Sequence, residues 1–148
     1  MAITYMQICN AIEAYLAGAC PALSRTQSYD ELTEGMNDFP ALQVYPEACE
    51  NVATDSGTQT TTFQLGVIQE TLIFHVDYYA RQRSHIDEDM KALVEGVDEI
   101  HTAMEDAGCP PFGLEGIRSW QWSWQRVVFT YAAIDYMGAR FTLRLRTF

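Results

Sequence analysis

Residues with the chemistry for catalysis are few and scattered along this chain. His75 and Asp77 stand two apart in T-L-I-F-H-V-D-Y-Y-A, so a strand would set imidazole and carboxylate on one face. That juxtaposition is how a general base and its orienting carboxylate are arranged. Acyl or group transfer also needs a nucleophile, and no Ser or Cys is set beside His75 by spacing. A structural or interface histidine is the plainer role. Asp87, Glu88 and Asp89 form the densest carboxylate cluster, but they follow Ser84, a good N-cap. In the first turn of a helix such residues complement the dipole. Cys9, Cys20, Cys49 and Cys109 lie far apart with no C-x-x-C pair, whereas zinc sites recruit close pairs. They read as buried free thiols. No G-x-G-x-x-G, P-loop, H-E-x-x-H or G-x-S-x-G occurs. The expectation is a protein with no catalytic centre, no metal and no cofactor.

The other conspicuous set is aromatic. Trp120, Trp122 and Trp124 alternate with Ser119, Gln121 and Ser123, so a strand would place all three indoles on one face. Such a stripe stacks bases only amid basic surroundings. This chain carries 20 Asp and Glu against 9 Lys and Arg, a formal net charge of −11. An acidic chain repels phosphate, which argues against nucleic-acid binding. The Trp face is expected to pack under helices or against a neighbouring subunit.

The elements that must position these residues follow from periodicity. From Ile3 to Ala19 the residues Tyr5, Cys9, Ile12, Leu16 and Ala19 keep helical spacing, closed by Gly18 and Pro21. A turn-rich stretch follows, with a short helical turn at Tyr29–Gly35. Ala41–Tyr45 reads as a short extended piece between Pro40 and Pro46. Ala48–Thr62 is polar and Thr-rich and reads as a long mobile loop, with Asp55, Thr58 and Thr60 as contact residues for a neighbour. Glu70–Ala80 is a strand with Leu72, Phe74, Val76 and Tyr78 on one face and Ile73, His75, Asp77 and Tyr79 on the other. A second helix runs from Ser84 to Ala107 on a stripe of Ile86, Met90, Leu93, Val94, Val97, Ile100 and Met104, with His85 and His101 outward. Gly108, Pro110 and Pro111 end it. The rest is strand: Gly116–Trp124, Arg126–Ala133 and Ala139–Arg146, with Gly138 at a turn. The first two read equally as one long bent strand. Phe141, Leu143 and Leu145 alternate with Thr142, Arg144 and Arg146.

This order predicts one α+β domain over residues 1–148, a mainly antiparallel sheet with two amphipathic helices packed on one face. The opposite face, bearing His75, Asp77, Tyr79 and Thr or Arg positions, suits a wet contact with another subunit. No apolar run approaches the roughly 20 residues of a membrane helix, and the start M-A-I-T-Y-M-Q-I lacks a basic segment before an apolar one. Action or assembly in a cytosol is expected.

The early helix followed by F-P-A-L-Q-V-Y-P, the strand T-L-I-F-H-V-D-Y-Y-A-R, the helix D-M-K-A-L-V-E-G-V-D-E-I-H and the ending Y-M-G-A-R-F-T-L-R-L resemble the tail terminator, or tail completion, proteins of long-tailed bacteriophages. The resemblance spans most of the chain; none of these segments is a catalytic fingerprint. It implies a structural virion protein assembled in the host cytoplasm. Such a protein forms a hexameric ring on the last ring of tail tube protein, ends polymerisation and presents a docking surface to the connector or stopper. DNA passes through without specific binding, in keeping with an acidic lumen. Subunit or neighbour contacts are expected at His75, Asp77, Tyr79, Arg140, Arg144 and Arg146. At least one of these arginines is expected to meet Glu95 or Asp98 of a neighbour; the alternative is that they cover their own sheet face. Other readings are a head-completion stopper, a small α+β enzyme using His75 and Asp77, or a ligand-binding module using the Trp face.

Overall fold

The computed structural model describes residues 3–28, 39–51, 70–82, 86–108, 110–131 and 133–147. Helix α1 spans Tyr5–Ala19 and begins at a capping box. The Gln7 amide donates to Thr4 Oγ1 at 3.2 Å, and the Thr4 amide donates to Gln7 Oε1 at 2.8 Å. Two amides that a helix start leaves without partners are thereby satisfied. The buried face is Ile8, Cys9, Ile12 and Leu16. Tyr5 and Ala19, expected in that stripe, are exposed at the helix ends.

Strands β1 (Arg25–Gln27), β2 (Ala41–Asn51), β3 (Glu70–Gln82), β4 (Ile117–Tyr131) and β5 (Ile134–Thr147) form one sheet in the order β1-β2-β3-β5-β4. Only β1 and β2 run parallel. Helix α2 covers Ile86–Glu105, and a short 3-10 turn at Pro111–Gly113 leads into β4. The fold is α+β, as the element order predicts.

Two boundaries differ from expectation. The extended piece does not stop at Pro46, because β2 continues to Asn51. The register shift between Pro46 and Ala48 gives the proline, which lacks an N–H, a place within the strand. Residues 48–51 therefore belong to the sheet; the remainder of the expected loop, including Asp55, Thr58 and Thr60, lies outside the described residues. So do Ser84, His85 and the turn expected at 29–35. Of the two readings left open for this part of the chain, the structure has the single long strand, β4. Gly138 is not at a turn but inside β5, opposite Tyr79 and Val127. A side chain there would run into the Tyr78 carbonyl and the Phe129 ring. The chain reverses instead through Ala133, whose φ of 63° is left-handed.

Register puts Leu42, Val44, Leu72, Phe74, Val76, Ala139, Phe141, Leu143 and Leu145 in one buried cluster with the inner residues of both helices. Leu93, Val97, Ile100, Ala103 and Met104 are the buried side of α2. Val94, expected in the stripe, is exposed. Fully burying a Leu or Phe contributes about 2 kcal/mol through area removed from water. At Gly96 the helix backbone lies so close to the Tyr78 ring that a methyl group would overlap it. The Tyr15 hydroxyl donates to the Ala103 carbonyl at 2.7 Å and ties α1 to α2.

Candidate functional site

Two places bring chemically capable side chains together. The first lies on the sheet face turned away from the helices. Strand alternation puts Tyr45 of β2, His75 and Asp77 of β3 and Arg140 of β5 on that face, and register sets Asp77 opposite Arg140. Arg140 Nε donates to Asp77 Oδ1 at 2.9 Å, and its terminal nitrogen donates to Oδ2 at 3.1 Å. The Tyr45 hydroxyl donates to Oδ2 at 2.7 Å and accepts from Arg140 at 3.1 Å. Asp77 is 1 % exposed, so this is a fork-to-fork ion pair taken largely out of water. Hydrogen bonding to Asp77 holds the Arg140 guanidinium well above its ordinary pKa, against the opposing effect of burial.

The sequence-level pairing of His75 with Asp77 is not what forms. Both Asp77 oxygens are committed to Arg140 and Tyr45. The Tyr45 hydroxyl stands between, 3.4 Å from His75 Nδ1, and Glu47 lies 3.6 Å from the same nitrogen. The geometry ties three strands together across β2, β3 and β5. Beside it, Tyr79 is also buried, packed on Phe129 at 4.4 Å between ring centroids and donating to Gln43 Oε1 at 3.3 Å. Asp77 and Tyr79, expected at a subunit contact, are thus engaged inside the subunit. The same holds for Arg140, which takes Asp77 of its own sheet face. Arg144 lies 3.9 Å from Glu50 of its own chain, with both side chains exposed. Arg146 remains exposed.

The second place is the Trp stripe. Trp120 packs on Phe112 at 5.2 Å, and Trp122 meets His101 edge-on at 4.9 Å; both lie against the core under the helix layer. His101 is therefore not simply outward: its Nε2 also sits 2.8 Å from Glu105. Trp124 is different. It is 43 % exposed and lines a groove of about 460 Å³ between α2 and β4, with Met90, Leu93, Val94, Val97, Asp98, Gln125 and Arg126. Arg126 reaches Met90 Sδ at 3.7 Å across one end.

The cysteines divide. Cys9 and Cys20 are buried free thiols pushed up to about 11 by burial, whereas Cys49 is exposed rather than buried. Cys109 lies outside the described residues. Among the described residues no group of three or more His, Cys, Asp or Glu is placed to hold a metal ion. None of their helices is long and apolar enough to cross a membrane.

The Arg140–Asp77 pair has no local sequence signal, because the partners are 63 residues apart and meet only through register. The groove had a partial one: the Trp spacing located one wall, and Val94 looked like core.

No protein-family model and no curated protein matches the chain.

Proposed function

We propose that this chain is a structural virion protein. In this reading it forms a ring on the tail tube of a long-tailed bacteriophage, ends tube growth and offers the surface on which the DNA-filled head docks. The observation that carries this reading is β4. It is a 15-residue strand at the edge of the sheet, paired among the described residues only with β5. Long open edges invite pairing with another chain, and monomeric proteins shorten or cover them. An assembly subunit has reason to keep one. Acidity supports the same reading, since a net charge of −11 per copy gives a channel that repels DNA phosphate. The chemically capable side chains support it too: the strongest polar cluster, Asp77 with Arg140 and Tyr45, is committed to holding strands. Tyr79 and Arg140 stiffen the subunit, leaving β4 and the helix side for contacts.

The test is assembly of tails in host cells infected with virus lacking this chain. The reading predicts tubes of unregulated length that fail to join heads, and normal length restored when the chain is supplied. Tubes of normal length that join heads without it would refute the proposal.

A further inference from the structure

Two patches of this chain complement one another and do not overlap. One is the groove between α2 and β4. It is lined by Trp124, Met90, Val97 and Val94, the last 53 % exposed. Asp98 stands on its rim with no ion-pair partner among the described residues; one helical turn earlier, Glu95 is only 3.9 Å from Lys91 at an exposed position. The other patch lies at the end of the sheet where β4 begins. Met6 is 59 % exposed and Tyr5 41 % exposed in the first turn of α1. Ile3, just before that turn, lies against Gly116. Arg118 follows two residues later, exposed and without an ion-pair partner among the described residues, and Arg146 pairs with neighbouring Ser119 across the ladder.

These patches belong to a wider separation of charge. Helix α2 carries seven carboxylates against one lysine. Strands β4 and β5 carry five arginines against one aspartate, in a chain that is acidic overall. An apolar hollow whose charged lining residues are Asp98 and Arg126 therefore sits on one side of the subunit, and an apolar knob with Arg118, next to the exposed Glu115, sits at another.

We propose that a second copy of this chain fills the groove, with Met6 of one copy against Trp124 and Val94 of the next, and Arg118 against Asp98. A flexible thioether is well suited to an irregular apolar hollow beside an indole. Burial of Met6 and Trp124 supplies the attraction, and the Arg–Asp pair fixes the register. The patches are different surfaces, so the contact is head-to-tail: every added copy leaves one patch of each kind free until a rotation closes the ring. This deepens the ring reading above and rests on its claim that copies associate with one another.

The experiment measures association of the purified full chain by sedimentation at about 0.15 M salt, where a Debye length of about 8 Å screens net repulsion but not pairs in direct contact. The wild-type chain is expected to associate in the micromolar to millimolar range. Trp124→Ala, Met6→Asp, Asp98→Lys and Arg118→Glu should each weaken association roughly tenfold or more. Each variant is checked for native melting and circular dichroism; one that does not fold is replaced by Val94→Asp for the groove or Arg118→Ala for the knob. The decisive arm is the exchange: Asp98→Lys combined with Arg118→Glu should recover most of the association that either single change loses. A wild-type chain still monomeric at about 1 mM, single changes without effect, or an exchange no better than the singles overturns the proposal. Recovery by exchange in a chain that fails to restore tail length would keep this contact and remove the tail function.

Discussion

At Asp77 the structure commits a buried carboxylate to two partners on two other strands. Removing one partner leaves a charge in a place that no longer compensates it. Arg140→Met is expected to cost on the order of 3 kcal/mol, whereas Asp77→Leu with Arg140→Met should recover much of that loss. Denaturant unfolding of the two single variants and the double variant measures the coupling. Additive losses would contradict a paired role. The buried thiols make a second prediction. Cys9 and Cys20 sit near 11 when folded against an ordinary value of 9.0. The folded state therefore keeps protons that the unfolded state has released. Their stabilising contribution is complete below pH 9 and is lost between pH 9 and about 11, at up to about 1.4 kcal/mol per pH unit for each thiol. Tyr78, pushed up to about 12 by burial with Glu99 adding to it, extends the decline. A Cys20→Ala chain should lose stability less steeply across that window; an unchanged slope would contradict the assignment. At this scale the sequence spoke only through neighbours two apart. It set His75 with Asp77 because alternation shows which residues share a face. Which residue stands opposite on the next strand is decided by register, which no local pattern displays.

At the scale of elements, far more was legible. The period of the apolar residues located both helices and the long central strand, because burying one face imposes that period. What escaped were the ends and the breaks. Pro46 looked like a terminator, yet the register shift beside it lets β2 continue. Gly138 looked like a turn, yet its missing side chain makes room for Phe129 and for the backbone of β3. Val94 satisfied the helical period but falls beside the groove rather than over the sheet, since the helix stripe is wider than the surface it covers. Two substitutions test the helix-on-sheet contact. Leu93→Ala, at a residue 3 % exposed, should cost about 2–5 kcal/mol through lost burial and the cavity left behind. Gly96→Ala should also destabilise, by about 1–3 kcal/mol, although alanine favours helices, because its methyl overlaps Tyr78. Tyr78→Leu should soften that penalty. Gly96→Ala proving more stable than the parent in thermal unfolding would mean that α2 does not seat on Tyr78.

For the whole molecule, charge and shape point in one direction. The polar clusters stiffen the sheet, the long edge of β4 stays without a second partner among the described residues, and acidic and basic residues separate onto different elements. Composition disclosed the acidity but not its separation, because adjacency of α2 to the β4 edge arises only on folding. Reconstruction of tails at the head-proximal end is the most direct measurement of the central claim. The account predicts six copies of this chain in a closed ring seated on the last ring of the tube, with adjoining copies in contact through the groove side of one and the β4 start of the next. A tube end without this chain, or the chain present there as isolated copies, would contradict it.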